Sequence, residues 1–366
     1  MAVEYQGKIL DEISFKNTEA GNFFVLSDAK NINSVEIEYL PILEKEYIVN
    51  DYEIVLFENQ YLNAENDVFQ LIAKDEDLRI GWIFPLSNLD GIDHDHYENI
   101  FLNKYKFVAF QLLLLSENFK VEAININEQL RITDCRKDNP IIVVLSKSSV
   151  KKIEGFSIEN YLPSLSKYGY YKKNAFNNGN KLASKELYCI KKLRGKLKLN
   201  VHKAKIELTT NKFFSELFNK NLKYLDHHLI RFHLLYQIIE HLITESFEKE
   251  FDALIQRFQD LKMLKNDFIE QINNIKKERS KIRDIIKMLK THQKDFDEIA
   301  LRRDCGLLFE HFNIDQKEDL GDLIYDVRNL VTHNYRAIKS EQLNHLESIT
   351  HQLELLTINL FEHYKA

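Results

Sequence analysis

Leu320-Gly321-Asp322-Leu323-Ile324-Tyr325-Asp326-Val327-Arg328-Asn329-Leu330-Val331-Thr332-His333 is the stretch on which the reading of this chain turns. Placed on a helix over residues 318–338, at about 100° per residue, its apolar side chains close into one arc. Leu320, Leu323, Ile324, Val327, Leu330 and Val331 make that arc. The opposite arc holds Arg328, Thr332, Tyr325, Arg336, Asn329, Asp322, His333 and Asp326, in that angular order. Such segregation predicts a helix with one face in a core. It also gathers a guanidinium, an amide, an imidazole and two carboxylates on the other face, which is either a site or an ordinary wet surface.

Outward from this stretch, the punctuation of the chain divides it in two. All four prolines lie at or before Pro163, and residues 196–305 contain neither Gly nor Pro. That distribution predicts a turn-rich first half and a helical second half. The second half opens with a long helix through Leu225, Leu229, Phe232, Leu235, Tyr236, Ile239 and Leu242. Over about residues 250–293 a heptad-like stripe follows, through Leu254, Phe258, Leu261, Phe268, Ile272, Ile275, Ile282, Ile286 and Leu289. It suits a helical-hairpin or coiled-coil insertion. One straight helix of this length would extend about 60 Å, so a bend is expected, with Asn273-Asn274 as its place. A last helix over 340–363 carries Leu343, Leu346, Ile349, Leu353, Leu356 and Leu360 on one stripe.

The first half carries short β-branched and aromatic runs, several of them alternating as half-buried strands do. Phe23-Phe24-Val25-Leu26, Val35-Glu36-Ile37-Glu38-Tyr39-Leu40, Tyr52-Glu53-Ile54-Val55-Leu56-Phe57, Ile141-Ile142-Val143-Val144-Leu145 and Leu197-Lys198-Leu199-Asn200-Val201 are the examples. A helix over 99–118 interrupts them. The expected architecture is α+β: a mixed, mostly antiparallel domain over 1–205, then an all-α bundle over 206–366.

A net charge of −6 excludes a chain that binds nucleic acid by overall charge, so such contact requires a local patch. Tyr168-Gly169-Tyr170-Tyr171-Lys172-Lys173-Asn174, continuing to Lys181, has the tyrosines and lysines that stack bases and pair phosphates, against a solvated loop as the favoured reading. Cys135, Cys189 and Cys305 are odd in number and far apart, so they read as buried thiols. The longest apolar run, 107–115, is too short to span a bilayer. No leader is visible, and a cytoplasmic location with no membrane partner is expected.

An Arg with Asn directly after it and His after four intervening residues, here Arg328-Asn329-Leu330-Val331-Thr332-His333 in a helical C-terminal half, resembles the signature of the HEPN superfamily of ribonucleases. Leu234-Leu235-Tyr236-Gln237-Ile238-Ile239-Glu240 is similar to a first bundle helix of prokaryotic members. The resemblance covers about residues 213–366. It implies a metal-independent endoribonuclease without cofactor, working as a homodimer through the helical domain, with RNA, tRNA included, as substrate. It also implies antiviral or abortive-infection defence, with a trigger or regulator acting on the N-terminal domain.

The residues suit that chemistry. RNA cleaves when its 2′-oxygen attacks the adjacent phosphate, which requires proton transfer and charge stabilisation. His333 exchanges protons near neutral pH, and Arg328 matches phosphate oxygens. Asn329, about 40° from His333, can orient imidazole or RNA. Arg328 and His333 are about 140° apart on one helix, so a single helix does not readily converge them; the resemblance implies that two site helices pair across a dimer. Asp322, Asp326, Tyr325, Thr332 and Arg336 complete the face as weaker substrate-binding candidates. The competing expectation is a catalytically silent dimerisation scaffold, or an RNA- or partner-binding protein.

Two further clusters are weaker. Asp93-His94-Asp95-His96 has metal-ligand residue types, but it follows the turn signal Asp90-Gly91 and lacks a third ligand, so a solvated loop is the reading and no metal is assigned. His227-His228, near Arg231, reads as solvent-facing.

Overall fold

The computed structural model describes residues 3–5, 8–10, 12–43, 47–92, 94–116, 130–135, 138–173, 182, 193, 195–206, 208–260, 262–291 and 295–364. The chain divides into two compact units, one ending at Lys203 and the other beginning at Ala204.

In the first unit, β1 (Val3–Tyr5) and β2 (Lys8–Leu10) form a hairpin, and β3 (Glu12–Thr18), β4 (Gly21–Ser27) and β5 (Ser34–Glu38) an antiparallel sheet. A six-stranded sheet is built from β6 (Tyr52–Glu58), β7 (Phe69–Ala73), β8 (Leu78–Pro85), β9 (Ile141–Ser146), β10 (Tyr171–Lys172) and β11 (Lys198–Val201). Its order is β10-β6-β9-β8-β7-β11, antiparallel throughout except for β11 beside β7. Every residue of β9 is buried, which is why its sequence is apolar without alternation. Gly81 of β8 faces Leu145 of β9, and a Cβ there would overlap the Val144 carbonyl. The α+β class and the mostly antiparallel sheet agree with the sequence.

Helix α1 (Ile100–Leu114) is started by Asn99, whose Oδ1 accepts the Phe101 and Leu102 amides, both at 3.1 Å. Residues 105–110 are all buried, so its apolar side chains occupy most of its circumference, although Phe101 at its start is 62% exposed. Phe107 and Phe110 pack on Phe24 of β4 and on Tyr39, while Tyr105 meets Tyr52 of β6 and Trp82 of β8. The Tyr168–Lys181 reading changes here: Tyr170 and Tyr171 are buried, Lys172 pairs with Glu159 and Lys173 with Asp138. These side chains complete a sheet edge, neither a solvated loop nor a stacking surface; 174–181 lie outside the described residues.

The second unit is helical: α2 (His228–Gln259), α3 (Lys265–Ile275), α4 (Glu278–Lys287), α5 (Glu298–Glu310), α6 (Leu320–Asn334) and α7 (Ser340–His363). The apolar arc read from the sequence is the buried face of α6. Arg231 of α2 is buried, donating from Nε to Glu354 of α7 at 2.8 Å and from Nη1 to the Leu222 and Leu225 carbonyls. It is a tie between helices, and His227 before it is exposed.

The bend is not at Asn273-Asn274, which lies inside α3. The chain turns between Gln259 and Lys265 and again at residues 276–277. The insertion is also shorter than 250–293, because Ile282, Ile285 and Ile286 of α4 belong to the core. What protrudes is the end of α2 with α3. Phe258 and Phe268 stack at 4.7 Å, but no residue of α3 is buried, and Leu264 remains 73% exposed.

Candidate functional site

The polar arc of α6 is divided between two neighbouring helices. Arg283 of α4 grips Asp322 with two hydrogen bonds of 2.7 Å, and Arg279 pairs with Asp326 and lies 4.7 Å from the Tyr325 ring centre. Asp322 is buried. These three residues, candidates for substrate binding in the sequence, hold α4 to α6. Their carboxylates are neutralised by the two arginines, so they do not oppose an anion nearby.

Arg328 faces α2. Its Nη2 donates to Glu240 at 3.2 Å, its Nη1 to Asn329 Oδ1 at 3.1 Å, and its guanidinium carbon lies 5.6 Å from the Tyr236 ring centre. Tyr236 is buried and donates its hydroxyl to Glu278 of α4 at 3.0 Å. Burial opposes the charge on Arg328, but the Glu240 hydrogen bond and the nearby Glu278 outweigh it and hold the guanidinium above its ordinary value. Among the described residues two of its five N–H donors are engaged, which leaves three for an incoming oxyanion. Asn329 therefore steers the guanidinium, and its amide nitrogen stays available to a ligand.

His333 stands in the last turn of α6, exposed, and among the described residues its ring has no hydrogen-bond partner. Thr332 and Arg336 are exposed beside it. A plain structural role is also open to it there, since a basic group favours a helix C-terminus. The structure brings Arg328 and Asn329 together and leaves His333 further along the same helix.

Helix directions place these groups relative to one another. Arg279 meets Asp326 and Arg283 meets Asp322, so α4 and α6 are antiparallel. Glu278 meets Tyr236 and Lys281 meets Glu250, so α4 also packs on α2. Three residues before Tyr236 on α2 sits His233, half-buried, its imidazole pushed below its ordinary value first by burial and then by Arg328, against the pull of Glu240. Sequence reasoning missed His233. The available signal was the 233, 236, 240 spacing, which keeps three polar-tipped residues on one helix face.

In the Asp93–His96 cluster Asp95 is exposed as expected of a loop, but His94 is not, and Asp93 lies outside the described residues. His94 is buried, and its Nε2 lies 2.8 Å from Nζ of Lys106, a lysine of α1 with no exposed surface. The His96 amide donates to His94 Nδ1 at 3.1 Å, so the ring proton sits on Nε2 and points at Lys106. Only a neutral amine accepts that hydrogen. The same amine donates to the Asn88 carbonyl at 3.0 Å. Burial pulls Lys106 down to about 7, against Glu65, and pulls His94 down to about 4. Cys135 and Cys305 are buried thiols pushed up to about 12 by burial, and Cys189 lies outside the described residues. No described helix is long and apolar enough to cross a membrane.

Set against protein-family models, curated proteins and solved structures, the chain matches none.

Proposed function

We propose that the helical unit is a metal-independent endoribonuclease that cleaves RNA by 2′-hydroxyl transesterification at a composite site in a homodimer. The observation that carries the reading is Arg328: a charged, part-exposed guanidinium, stacked on Tyr236, with three N–H donors uncommitted among the described residues. Such a fork stabilises the extra charge of a pentacoordinate phosphate. His333, an exposed imidazole on the same helix, transfers the proton, and Asn329 fixes the guanidinium. The first unit senses a trigger or restrains the nuclease.

Cleavage of pooled tRNA and a structured RNA in excess EDTA tests the reading, with product ends identified. The expected result is 2′,3′-cyclic phosphate ends, lost on Arg328→Ala and reduced about 100-fold or more on His333→Ala. Equal cleavage by all three proteins would remove the site. RNA binding that falls with Arg328→Ala and with salt, without cleavage, would make the protein a phosphate-backbone binder.

A further inference from the structure

Transesterification moves two protons: one leaves the 2′-hydroxyl, and one reaches the departing 5′-oxygen. One imidazole per site serves only one of these steps at a time. Around Arg328, Glu240 is already engaged by the guanidinium, and the Tyr236 hydroxyl is committed to Glu278 and pushed up by burial and that carboxylate. His233 differs. It is half-exposed, and among the described residues neither ring nitrogen has a hydrogen-bond partner.

Residues 233, 236 and 240 lie within about 60° of one another on α2. Arg328 spans two of them, Tyr236 and Glu240. We propose that His233 is a second proton-transfer residue of this site, the base that takes the 2′-hydroxyl proton; the proposal rests on the ribonuclease reading. The 2′-oxygen then bonds to phosphorus, the bond from phosphorus to the 5′-oxygen breaks, and His333 as imidazolium gives the 5′-oxygen its proton. Water returns both rings to their starting states.

The charges facing His233 fit this order. Arg328 from α6 lowers it and Glu240 from its own helix raises it, while Glu278 from α4 is held at Tyr236. With burial the net direction is downward, so the ring is neutral and basic at neutral pH.

The test is the pH–rate profile of RNA cleavage in EDTA for wild type, His233→Gln, His333→Ala and Arg328→Ala. For His233→Gln a fall in kcat of about 100-fold or more is expected, with KM little changed and the acidic limb lost. Imidazole added to the medium should restore part of the rate, and wild-type thermal melting of the variant shows that it folds. Wild-type kcat with both limbs intact, or a loss of rate that leaves the acidic limb in place and resists imidazole, overturns the role of His233 and leaves the nuclease standing. Absence of cleavage by wild type, or cleavage indifferent to both Arg328→Ala and His333→Ala, overturns the ribonuclease reading and His233 with it.

Discussion

Replacing Lys106 with methionine should make the stability of the first unit respond differently to pH. The unfolded chain holds the Lys106 proton up to its ordinary 10.5, whereas the folded chain releases it near 7. Between those values folding expels a proton, so wild-type stability rises by about 1.4 kcal/mol per pH unit. The cost of neutralising the amine is about 4 kcal/mol at pH 7, is largest below it, and fades toward pH 10.5. Methionine fills much the same space and carries no such cost. It leaves the Asn88 carbonyl and the His94 Nε2–H without their partner, at about 1 kcal/mol each. Lys106→Met should therefore be more stable than wild type by about 2 kcal/mol at pH 7 and less stable by pH 10. His94, pulled down to about 4, is neutral across that window and does not contribute. Trp82 is the only tryptophan and is buried in the same unit, so urea unfolding followed by its emission reads this stability directly. A difference between variant and wild type that is the same at pH 7 and pH 10 would refute the neutral amine.

The remaining expectations concern packing. Glu354→Ala should cost about 3–5 kcal/mol in helix melting followed by circular dichroism, because it leaves the buried Arg231 without its carboxylate. Gly81→Ala should destabilise the first unit by at least about 3 kcal/mol, because the added methyl meets the Val144 carbonyl across the sheet. Phe232→Ala in the bundle core should cost about 3–5 kcal/mol, and Phe258→Ala at the hairpin under about 1.5, since only the first is fully buried.

What the sequence made legible was local and periodic. The arc of α6 appears at a 3.6-residue spacing, and the strand runs at Phe23, Tyr52 and Ile141 carry β-branched and aromatic residues, so neither needed knowledge of a distant partner. Leu78–Pro85 was passed over because Gly81 and Pro85 are residues that ordinarily interrupt a strand. Arg328 was legible as a candidate, but its cradle was not: Glu240 lies 88 positions away, and nothing local says that it turns toward α6. The same holds for Asp322, which pairs with Arg283 across 39 positions and so leaves the wet face on which periodicity alone had put it. His94 looked solvated because its partner, Lys106, is brought in by a helix that follows later in the chain. The bend was misplaced because Asn273-Asn274 looks like a breaker, whereas the chain turns where α2 runs out of partners at Asp260.

Helix α2 has two lives along one axis. Its first half packs Phe232, Leu235, Tyr236, Ile239 and Leu242 into the bundle, while from Phe247 onward only Leu254 is buried. Hydrogen-bonded backbone that looks uniform should therefore exchange its amide protons at two rates, slowly up to about residue 245 and quickly beyond. The protruding segment then opens and recloses on its own, without loosening the turns that hold Tyr236 and Glu240 against Arg328. Lengthening, shortening or nicking the chain around residues 260–264 is a change the cradle would not feel, and so this segment is free to vary.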